Sequence, residues 1–325
     1  MNAPDRGAWL ADRKHGLGGS DIGAVFGLSP YRTPVDVWLD KTGRSEAQAE
    51  TLQMRFGIYA EEFVAKEYTA QTGNDVQRYT TMLRHPSAPI IGNIDRLVIP
   101  DGQKRASHKS EIRTDRLLEC KTASAFSAYK PDEWGPAGSD AVPMAYLLQC
   151  ATYRILSGCQ YADLAVLFGN QEVRIYHLPS DADLEAMIVA KASEWWRAHI
   201  VADVAPPPVC DADVRALFPA SRQGIAVEAN EAVLHELAIL RDTRASMATL
   251  QRIADDAALA IKVAIGDAEA LTLNGETLAT WKSARPSTKT DWRAIASQLG
   301  YTQELFDNNT TTQPGSRRFL IKDEK

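Results

Sequence analysis

The stretches IIGNIDRLVI (residues 90–99) and LLECKT (residues 117–122) decide the fold of this chain and point to its chemistry. Both are predicted strands, because short apolar runs rich in β-branched residues favour that conformation. Alternation along a strand makes Glu119 and Lys121 share one face of the second stretch, while Asp95 lies within the first. A Glu-x-Lys pair inside an apolar strand is costly to bury unless it is paired or bound to a metal.

The two strands predict a metal site if they are neighbours in one sheet. Asp95 and Glu119 would then converge, and two carboxylates with open water positions suit Mg²⁺. Lys121 would orient or deprotonate an attacking water, or stabilise charge on a phosphate. The alternative interpretation is that Glu119 and Lys121 form a solvated ion pair on an edge strand.

Two predicted helices add polar side chains that could face this site. Glu61 lies in the helix predicted over 55–72 and could supply a third carboxylate, or it is a surface residue in an acidic run. In the helix predicted over 143–156, Tyr146 and Gln149 are three residues apart and share a face. Such a glutamine could bond the nucleophilic water or a phosphate, or only the edge of the core.

The segment RKHGLGGSD (residues 13–21) has glycines before a predicted helix start at Ser20. Backbone N–H groups, a serine hydroxyl and the nearby Arg13 would make an anion pocket at that helix start. It is not a Walker loop, because no Gly-Lys-Ser/Thr follows. The alternative is an ordinary helix N-cap after a flexible turn.

The composition of the 325 residues indicates a soluble globular protein. There are 36 Lys and Arg against 42 Asp and Glu, giving a net charge of −6, and 45% of residues are hydrophobic. No apolar stretch is long enough for a membrane span, and the N-terminus lacks the apolar core of a signal peptide. Four cysteines without metal-ligand spacing fit a reducing cytoplasm, which is the expected location.

Helical and strand patterns alternate up to about residue 200, which predicts an α/β or α+β fold with helices flanking a central mixed sheet. Consecutive prolines at 206–208 predict a boundary, so we expect a core over 1–205 and an appendage over 209–325. Helical spacing over 230–266 predicts one long helix or a helical hairpin. The Asn274-Gly275 pair predicts a β-hairpin after it.

Five stretches taken together resemble the YqaJ-type viral recombinase family, which is related to lambda exonuclease within the PD-(D/E)xK nucleases. They cover about 9–178 and are, in order, LADRKHGLGGSDIGAVFGLSPY, RFGIYAEEFVAKEY, IGNIDRL, LLECKTAS and YLLQCATYRIL. The resemblance implies a PD-(D/E)xK nuclease core. It also implies a 5′→3′ exonuclease that digests linear duplex DNA and leaves a 3′ overhang for a single-strand annealing protein. A homotrimer of a phage or prophage protein is implied as well.

The resemblance also assigns roles to residues. It implies two Mg²⁺ ions, with Mn²⁺ as a plausible substitute, held by Asp95, Glu119, Glu61 and the backbone carbonyl of Cys120. Lys121 would be the catalytic lysine, with Gln149 and Tyr146 in the motif that follows it. Arg13 and Ser20, seven residues apart, would bind a 5′-terminal phosphate, and Lys130 is a candidate for a further basic ligand of that phosphate.

Residues outside this set are candidates for contacts with DNA. Basic residues cluster in the loop between the two strands, where they would neutralise phosphates unless the loop is simply solvated; they are Lys104, Arg105, His108, Lys109, Arg113 and Arg116. Trp134 could wedge between bases, although a packed loop anchor is the common role of such a residue.

Two other functions are compatible with the same residues. The core could act as an endonuclease or a single-strand exonuclease, or the chain could be a non-catalytic module that binds DNA ends and recruits a partner through its C-terminal helix. An iron–sulfur exonuclease is not expected, because that cofactor needs four clustered cysteines.

Overall fold

The chain divides into two units, Met1–Pro219 and Ala220–Lys325. The structure, a computed structural model, describes residues 12–45, 51–99, 102, 111–129, 133–284, 290, 292, 295–296, 299–300 and 303–308. The division lies beyond the prolines at which the sequence predicts a boundary. The short helix after those prolines belongs to the first unit, where Asp213 accepts a hydrogen bond of 2.7 Å from the Thr33 hydroxyl.

The first unit is built from strands and helices in alternation. Its strands are β1 (Asp75–Arg78), β2 (Leu83–Arg84), β3 (Ile91–Gly92), β4 (Arg96–Ile99), β5 (Arg116–Ala123), β6 (Tyr161–Phe168) and β7 (Glu172–Pro179). Its α-helices are α1 (Gly19–Val25), α2 (Pro34–Lys41), α3 (Leu52–Thr72), α4 (Met144–Ser157), α5 (Ala182–Trp195) and α6 (Asp211–Leu217). A 3₁₀ helix covers Ala125–Tyr129, and a π-helical turn, Trp196–Val201, extends α5.

A five-stranded sheet of mixed direction forms the centre of this unit, in the order β1-β4-β5-β6-β7. Neighbours are antiparallel except β5 and β6, which are parallel and joined through α4. The predicted α/β architecture, a mixed sheet flanked by helices, is confirmed. β2 and β3 pair separately as a small two-stranded ribbon.

Helices cover both faces of the sheet. α3 packs Val64 and Tyr68 against Leu118 and Leu167 on one face, while α4 packs on the other. Along α3, Ala60, Val64 and Tyr68 are buried, whereas Phe56, Tyr59 and Phe63 are exposed.

Local signals set the ends of these helices. Thr33 accepts the Asp36 N–H and Asp36 accepts the Thr33 N–H, forming a capping box with Pro34 at the first helical position. α3 and α4 end at Gly73 and Gly158, whose φ angles of 74° and 76° are left-handed and favour glycine.

The strand predicted over 90–99 is interrupted in the structure. Ile91–Gly92 pairs with β2, the main-sheet strand begins only at Arg96, and Asp95 lies in the bend between them. The prediction of one continuous strand is therefore wrong. Gly92 allows the chain to pass the side chain of Tyr153, which would lie 2.8 Å from a Cβ at that position.

The second unit contains α7 (Glu231–Ile265), the hairpin β8 (Ala270–Leu273) and β9 (Glu276–Thr280), and the short helix α8 (Gln303–Asn308). α7 is one continuous helix, which decides between the two possibilities that the spacing leaves open. The predicted hairpin turns at Asn274 and Gly275, whose φ angles of 52° and 85° suit this pair. No helix in the described part of the chain is long and apolar enough to cross a membrane.

Candidate active site

An open cleft of about 650 Å³ lies beside the central strand β5 of the first unit's sheet, where β5 and the bend before β4 meet α3, α4 and the loop before α1. It brings together most of the predicted site residues. The cleft is lined by Arg13, Ser20, Glu61, Asp95, Glu119, Cys120, Lys121 and Gln149, and also by Tyr153 and Asn93. Below it is called the active-site cleft.

The pairing of β4 with β5 brings two carboxylates together. Arg96 lies opposite Leu118 in this antiparallel register, so Asp95, one residue earlier, comes beside Glu119, one residue later. The Asp95 Oδ2 accepts the Cys120 N–H at 3.0 Å. Burial raises the pKa of Asp95 well above its usual value, because a charged carboxylate is poorly solvated there. The neighbouring Glu119 raises this pKa further, because a second negative charge beside it is unfavourable.

Glu119 is almost fully buried and asymmetrically bonded. Its Oε1 receives the Lys121 Nζ at 2.7 Å and the Gln149 Nε2 at 2.7 Å. Its Oε2 is buried without a hydrogen-bond partner among the described residues. Burial would lower the pKa of Lys121, but the Glu119 and Asp95 carboxylates raise it above its usual value, so Lys121 is an ammonium group here.

Tyr153, rather than Tyr146, accompanies Gln149 in the cleft. The Gln149 Nε2 also donates to the Tyr153 hydroxyl at 3.1 Å, one helical turn along α4. Tyr146 lies on the wall of a neighbouring cleft, packed on Trp134 at 5.4 Å between ring centroids. Tyr146 and Tyr153 are seven residues apart, so they lie on one side of α4 and differ in their position along its axis. Tyr153 is the one hydrogen-bonded to Gln149, and the catalytic role expected of Tyr146 stays a prediction.

Glu61 reaches the cleft from α3, but its carboxylate is paired with two arginines. Its Oε1 lies 2.5 Å from Arg96 Nη1 and 3.3 Å from Arg78 Nη2. Among the residues that the structure describes, no three His, Cys, Asp or Glu side chains form a metal-holding group. Two of the three predicted carboxylates are therefore adjacent, and the third is ion-paired at the wall of the same cleft.

Asp95 and Glu119 fit a divalent cation that prefers oxygen ligands. The buried, unpartnered Glu119 Oε2 lies beside a second carboxylate, and such an atom is costly unless a ligand, water or ion satisfies it. The main chain of Cys120 lies in the same wall, beside Asp95.

The loop before α1 forms the opposite wall of the cleft. Leu17 forms an isolated parallel bridge with Ile90, which ties the loop to the start of the ribbon. A Cβ at Gly18 would lie 3.2 Å from Arg13 Nη2, and one at Gly19 would lie 2.8 Å from the Gln149 side chain. These close approaches explain the glycines and place the Arg13 side chain beside the backbone that leads to Ser20.

A buried ion pair supports this loop from behind. Asp21 Oδ2 accepts the Gly18 N–H at 2.9 Å and pairs with Lys41 Nζ at 2.7 Å, and its Oδ1 binds Arg32 at 2.6 Å. Lys41 also donates to the Arg13 carbonyl at 2.9 Å. Burial alone would raise the pKa of Asp21, but Lys41 and Arg32 hold it below its usual value.

The remaining predicted DNA contacts divide into three groups. Lys104, Arg105, His108, Lys109 and Lys130 lie outside the described residues. Arg113 is exposed and pairs with Glu111 at 2.7 Å, and Arg116 pairs with the buried Asp163 at 2.6 Å.

The prediction that Trp134 wedges between bases is wrong. The side chain is 5% exposed and packs on Tyr146, Phe168 and Tyr176, so it is the loop anchor of the alternative interpretation.

Several residues at the site are not among those predicted from the sequence, although some of them stand out in it. Tyr153 follows Gln149 by one helical turn, and Arg96 is a charged residue inside the apolar run of the first strand. Asp21 directly follows Ser20, but its partner Lys41 lies 20 residues away, and only the packing of α2 on α1 brings them together.

Comparisons with known proteins agree with the resemblance. Residues 8–160 match the family model of the YqaJ-like viral recombinase domain. The uncharacterized protein YqaJ of Bacillus subtilis (strain 168) is 34% identical over 207 residues, which are 62% of this chain; the chain spans 58% of that protein's length. An alkaline exonuclease from Laribacter hongkongensis is 19% identical with a TM-score of 0.46, over 61% of this chain and 93% of that one. A phage-related exonuclease from Haemophilus somnus 129PT is 12% identical with a TM-score of 0.38, over 60% and 100% of the two chains.

Proposed function

Because residues 8–160 match the family model of the YqaJ-like viral recombinase domain, we propose that this protein is a Mg²⁺-dependent 5′→3′ exonuclease that acts on linear double-stranded DNA. One observation carries the proposal: a single cleft is lined by two adjacent carboxylates, an ammonium group and, on its opposite wall, an arginine and a serine. This set can serve hydrolysis of a phosphodiester and recognition of a terminal phosphate in the same place.

Asp95 and Glu119 would hold the divalent cation, through the unpartnered Glu119 Oε2 among other atoms. The Cys120 carbonyl and Glu61 are proposed as further ligands, for one ion or two, and Mn²⁺ as a substitute. Glu61 would first have to leave Arg96, with which it is paired at 2.5 Å. When bound, such an ion supplies Lewis acidity and a water molecule of lowered pKa.

The chain's own residues would do the positioning. Lys121 is held by Glu119 at 2.7 Å as an ammonium group, so it donates to a phosphate oxygen or to the attacking water rather than accepting a proton. Gln149 fixes the Glu119 carboxylate through a hydrogen bond of 2.7 Å and is itself fixed by Tyr153. These contacts hold Glu119 in place, and Glu119 in turn holds the Lys121 ammonium group, which supports the proposal that Lys121 is the catalytic lysine.

Arg13 and Ser20 would recognise the 5′-terminal phosphate. A guanidinium and a hydroxyl give charge-assisted hydrogen bonds to phosphate oxygens. Both residues line the cleft that contains the carboxylates, so a phosphate bound by them would lie near the scissile bond. End recognition of this kind would make the enzyme act from a terminus instead of within a duplex.

The product would be a duplex with a 3′ single-stranded overhang, which an annealing protein would take up in recombination. We also propose a homotrimer that encloses the DNA. Both proposals are supported by the resemblance to the family, and they are separate from the chemistry proposed for the cleft.

The test compares 5′-phosphorylated linear duplex, 5′-hydroxyl linear duplex and closed circular duplex, each with Mg²⁺ or with a chelator. We expect nucleotides to be released from the linear substrates only with Mg²⁺, faster from the phosphorylated one, and circles to survive. Lys121→Ala should bind linear DNA but scarcely cut it. Lys191→Ala, which changes an exposed lysine of α5, is the matched control and should behave as the unaltered protein.

Each alternative gives a different result in this test. Cleavage of closed circles would favour an endonuclease, and degradation of single strands only would favour a single-strand exonuclease. Binding to duplex ends without Mg²⁺-dependent hydrolysis would overturn the enzyme proposal in favour of a recruitment module.

A further inference from the structure

A second cleft of about 450 Å³ adjoins the active-site cleft. Ser20 and Gln149 line both clefts, so these two side chains form the border between them. The outer wall is the loop from Leu28 to Tyr31, and the inner wall contains Trp134 and Tyr146. Its volume is that of an ordinary ligand pocket, and the proposed function places no part of the substrate in it.

The chemistry of this second cleft differs from that of the active-site cleft. None of the described residues that line it is lysine, arginine or histidine, and Glu133 is its charged residue. Instead it offers the hydroxyls of Ser29, Ser124 and Ser127 together with aromatic rings. Phosphate binding relies on cations, whereas flat, uncharged groups with hydrogen-bonding edges bind through stacking and hydroxyls.

Tyr31 provides a placed but exposed ring at the rim. Its side chain is 79% exposed, yet its N–H donates to Ser29 Oγ at 3.2 Å, and it lines the same cleft as Tyr146. Tyr146 in turn packs on the buried Trp134, which meets Phe168 edge-on at 5.2 Å. An exposed aromatic ring anchored in this way is suited to stacking on a base.

We propose that the second cleft binds the base of the 5′-terminal nucleotide, with the Tyr31 ring stacked on it. The inference rests on the proposed function, which puts the terminal phosphate at Arg13 and Ser20 and the scissile phosphate at Asp95 and Glu119. One nucleoside joins those two phosphates, and its base must leave the active-site cleft sideways. The base would pass into the second cleft between Ser20 and Gln149, the two residues that line both clefts. Ser20 belongs to the proposed site of the terminal phosphate, and Gln149 bonds Glu119 at the proposed site of the scissile phosphate.

The first experiment measures kcat/KM on 5′-phosphorylated duplexes whose 5′-terminal residue is either a normal nucleotide or an abasic residue. We expect the abasic end to lower kcat/KM of the unaltered protein about fivefold or more. Tyr31→Ala should be slower by about the same factor on the normal end, with little further loss on the abasic end. Tyr31→Phe, the matched control, should keep the unaltered response because it keeps the ring.

A second readout does not depend on hydrolysis. A duplex with 2-aminopurine at its 5′ end is bound to Lys121→Ala protein, and its fluorescence should be quenched with Tyr31 present and much less in the Lys121→Ala/Tyr31→Ala double variant. Equal quenching in both, or equal kcat/KM losses of Tyr31→Ala on normal and abasic ends, would overturn the subsite. Quenching that depends on Tyr31, together with no Mg²⁺-dependent hydrolysis by the protein with Lys121 intact, would support the subsite and overturn the nuclease.

Discussion

Replacement of Asp21 by asparagine tests whether the buried ion pair behind the loop holds that loop in place. The substitution keeps the shape but leaves the Lys41 ammonium, whose side chain is 1% exposed, without the carboxylate that lies 2.7 Å away. Removing one partner of a buried pair costs about 3–5 kcal/mol. In a unit of this size that loss lowers the midpoint of thermal unfolding by about 6–20 °C.

The assay follows the tryptophan fluorescence of the protein during heating at pH 7. Asp203→Asn is the matched control, because Asp203 pairs with Arg44 at the surface. This variant should lose much less thermal stability than Asp21→Asn. Asp21→Asn/Lys41→Met should recover most of the loss, since it removes the unpaired ammonium. A structural role for the ion pair is refuted if Asp21→Asn has the same midpoint of thermal unfolding as Asp203→Asn. It is also refuted if Asp21→Asn/Lys41→Met is no more stable than Asp21→Asn.

The same pair predicts a pH dependence with a defined sign. Because the folded-state pKa of Asp21 is lowered, its carboxylate stabilises the fold fully above the unfolded-state pKa of about 3.9. That contribution is lost as the pH falls through the lower folded-state value. The difference in stability between the unaltered protein and Asp21→Asn should therefore narrow below about pH 4, and a constant difference down to pH 2 would contradict the assignment.

Three further predictions concern the cleft and its surroundings. Arg13→Ala should selectively lose the preference for a 5′-phosphate in the comparison of linear substrates; equal losses on both would remove that role. Gly19→Ala, whose new Cβ would lie 2.8 Å from Gln149 and 3.1 Å from Tyr153, should lower kcat several-fold while the Kd for DNA, measured by fluorescence anisotropy, stays unchanged. Trp134→Ala should cost about 3–5 kcal/mol in denaturant unfolding without weakening DNA binding of the folded protein, and a selective loss of DNA affinity would restore the wedge.

Much of the fold is readable from local sequence, because its signals are local. The Asn274-Gly275 turn depends on two adjacent residues and is confirmed, and the helix start at Thr33 and Pro34 is likewise set by residues within three positions of each other. The break before β4 is not readable in this way. It depends on the pairing of Ile91 with Arg84 and on the passage of Gly92 past Tyr153, which are contacts between distant segments.

The candidate site divides along the same line. Asp95, Glu119, Lys121 and Gln149 can be selected because charged or amide groups are conspicuous in apolar elements, and the cleft contains all of them. Spacing alone does not choose between Tyr146 and Tyr153, because residues seven apart lie on the same side of a helix; only the packing of α4 shows that Tyr153 bonds Gln149. The ion pair of Glu61 with Arg96 is a tertiary contact, and no spacing rule reports it.

The attachment of the loop before α1 has a consequence for how the proposed activity could diversify. The loop joins the rest of the site through the Leu17–Ile90 bridge and the close contacts of Gly19, whereas the two carboxylates sit on paired strands of the sheet. Under the proposed function, bond breaking and the choice of terminus would therefore be encoded in separate parts of the chain. Substitutions confined to residues 13–21 would then change which termini are accepted, while the strands that carry the two carboxylates stay unchanged.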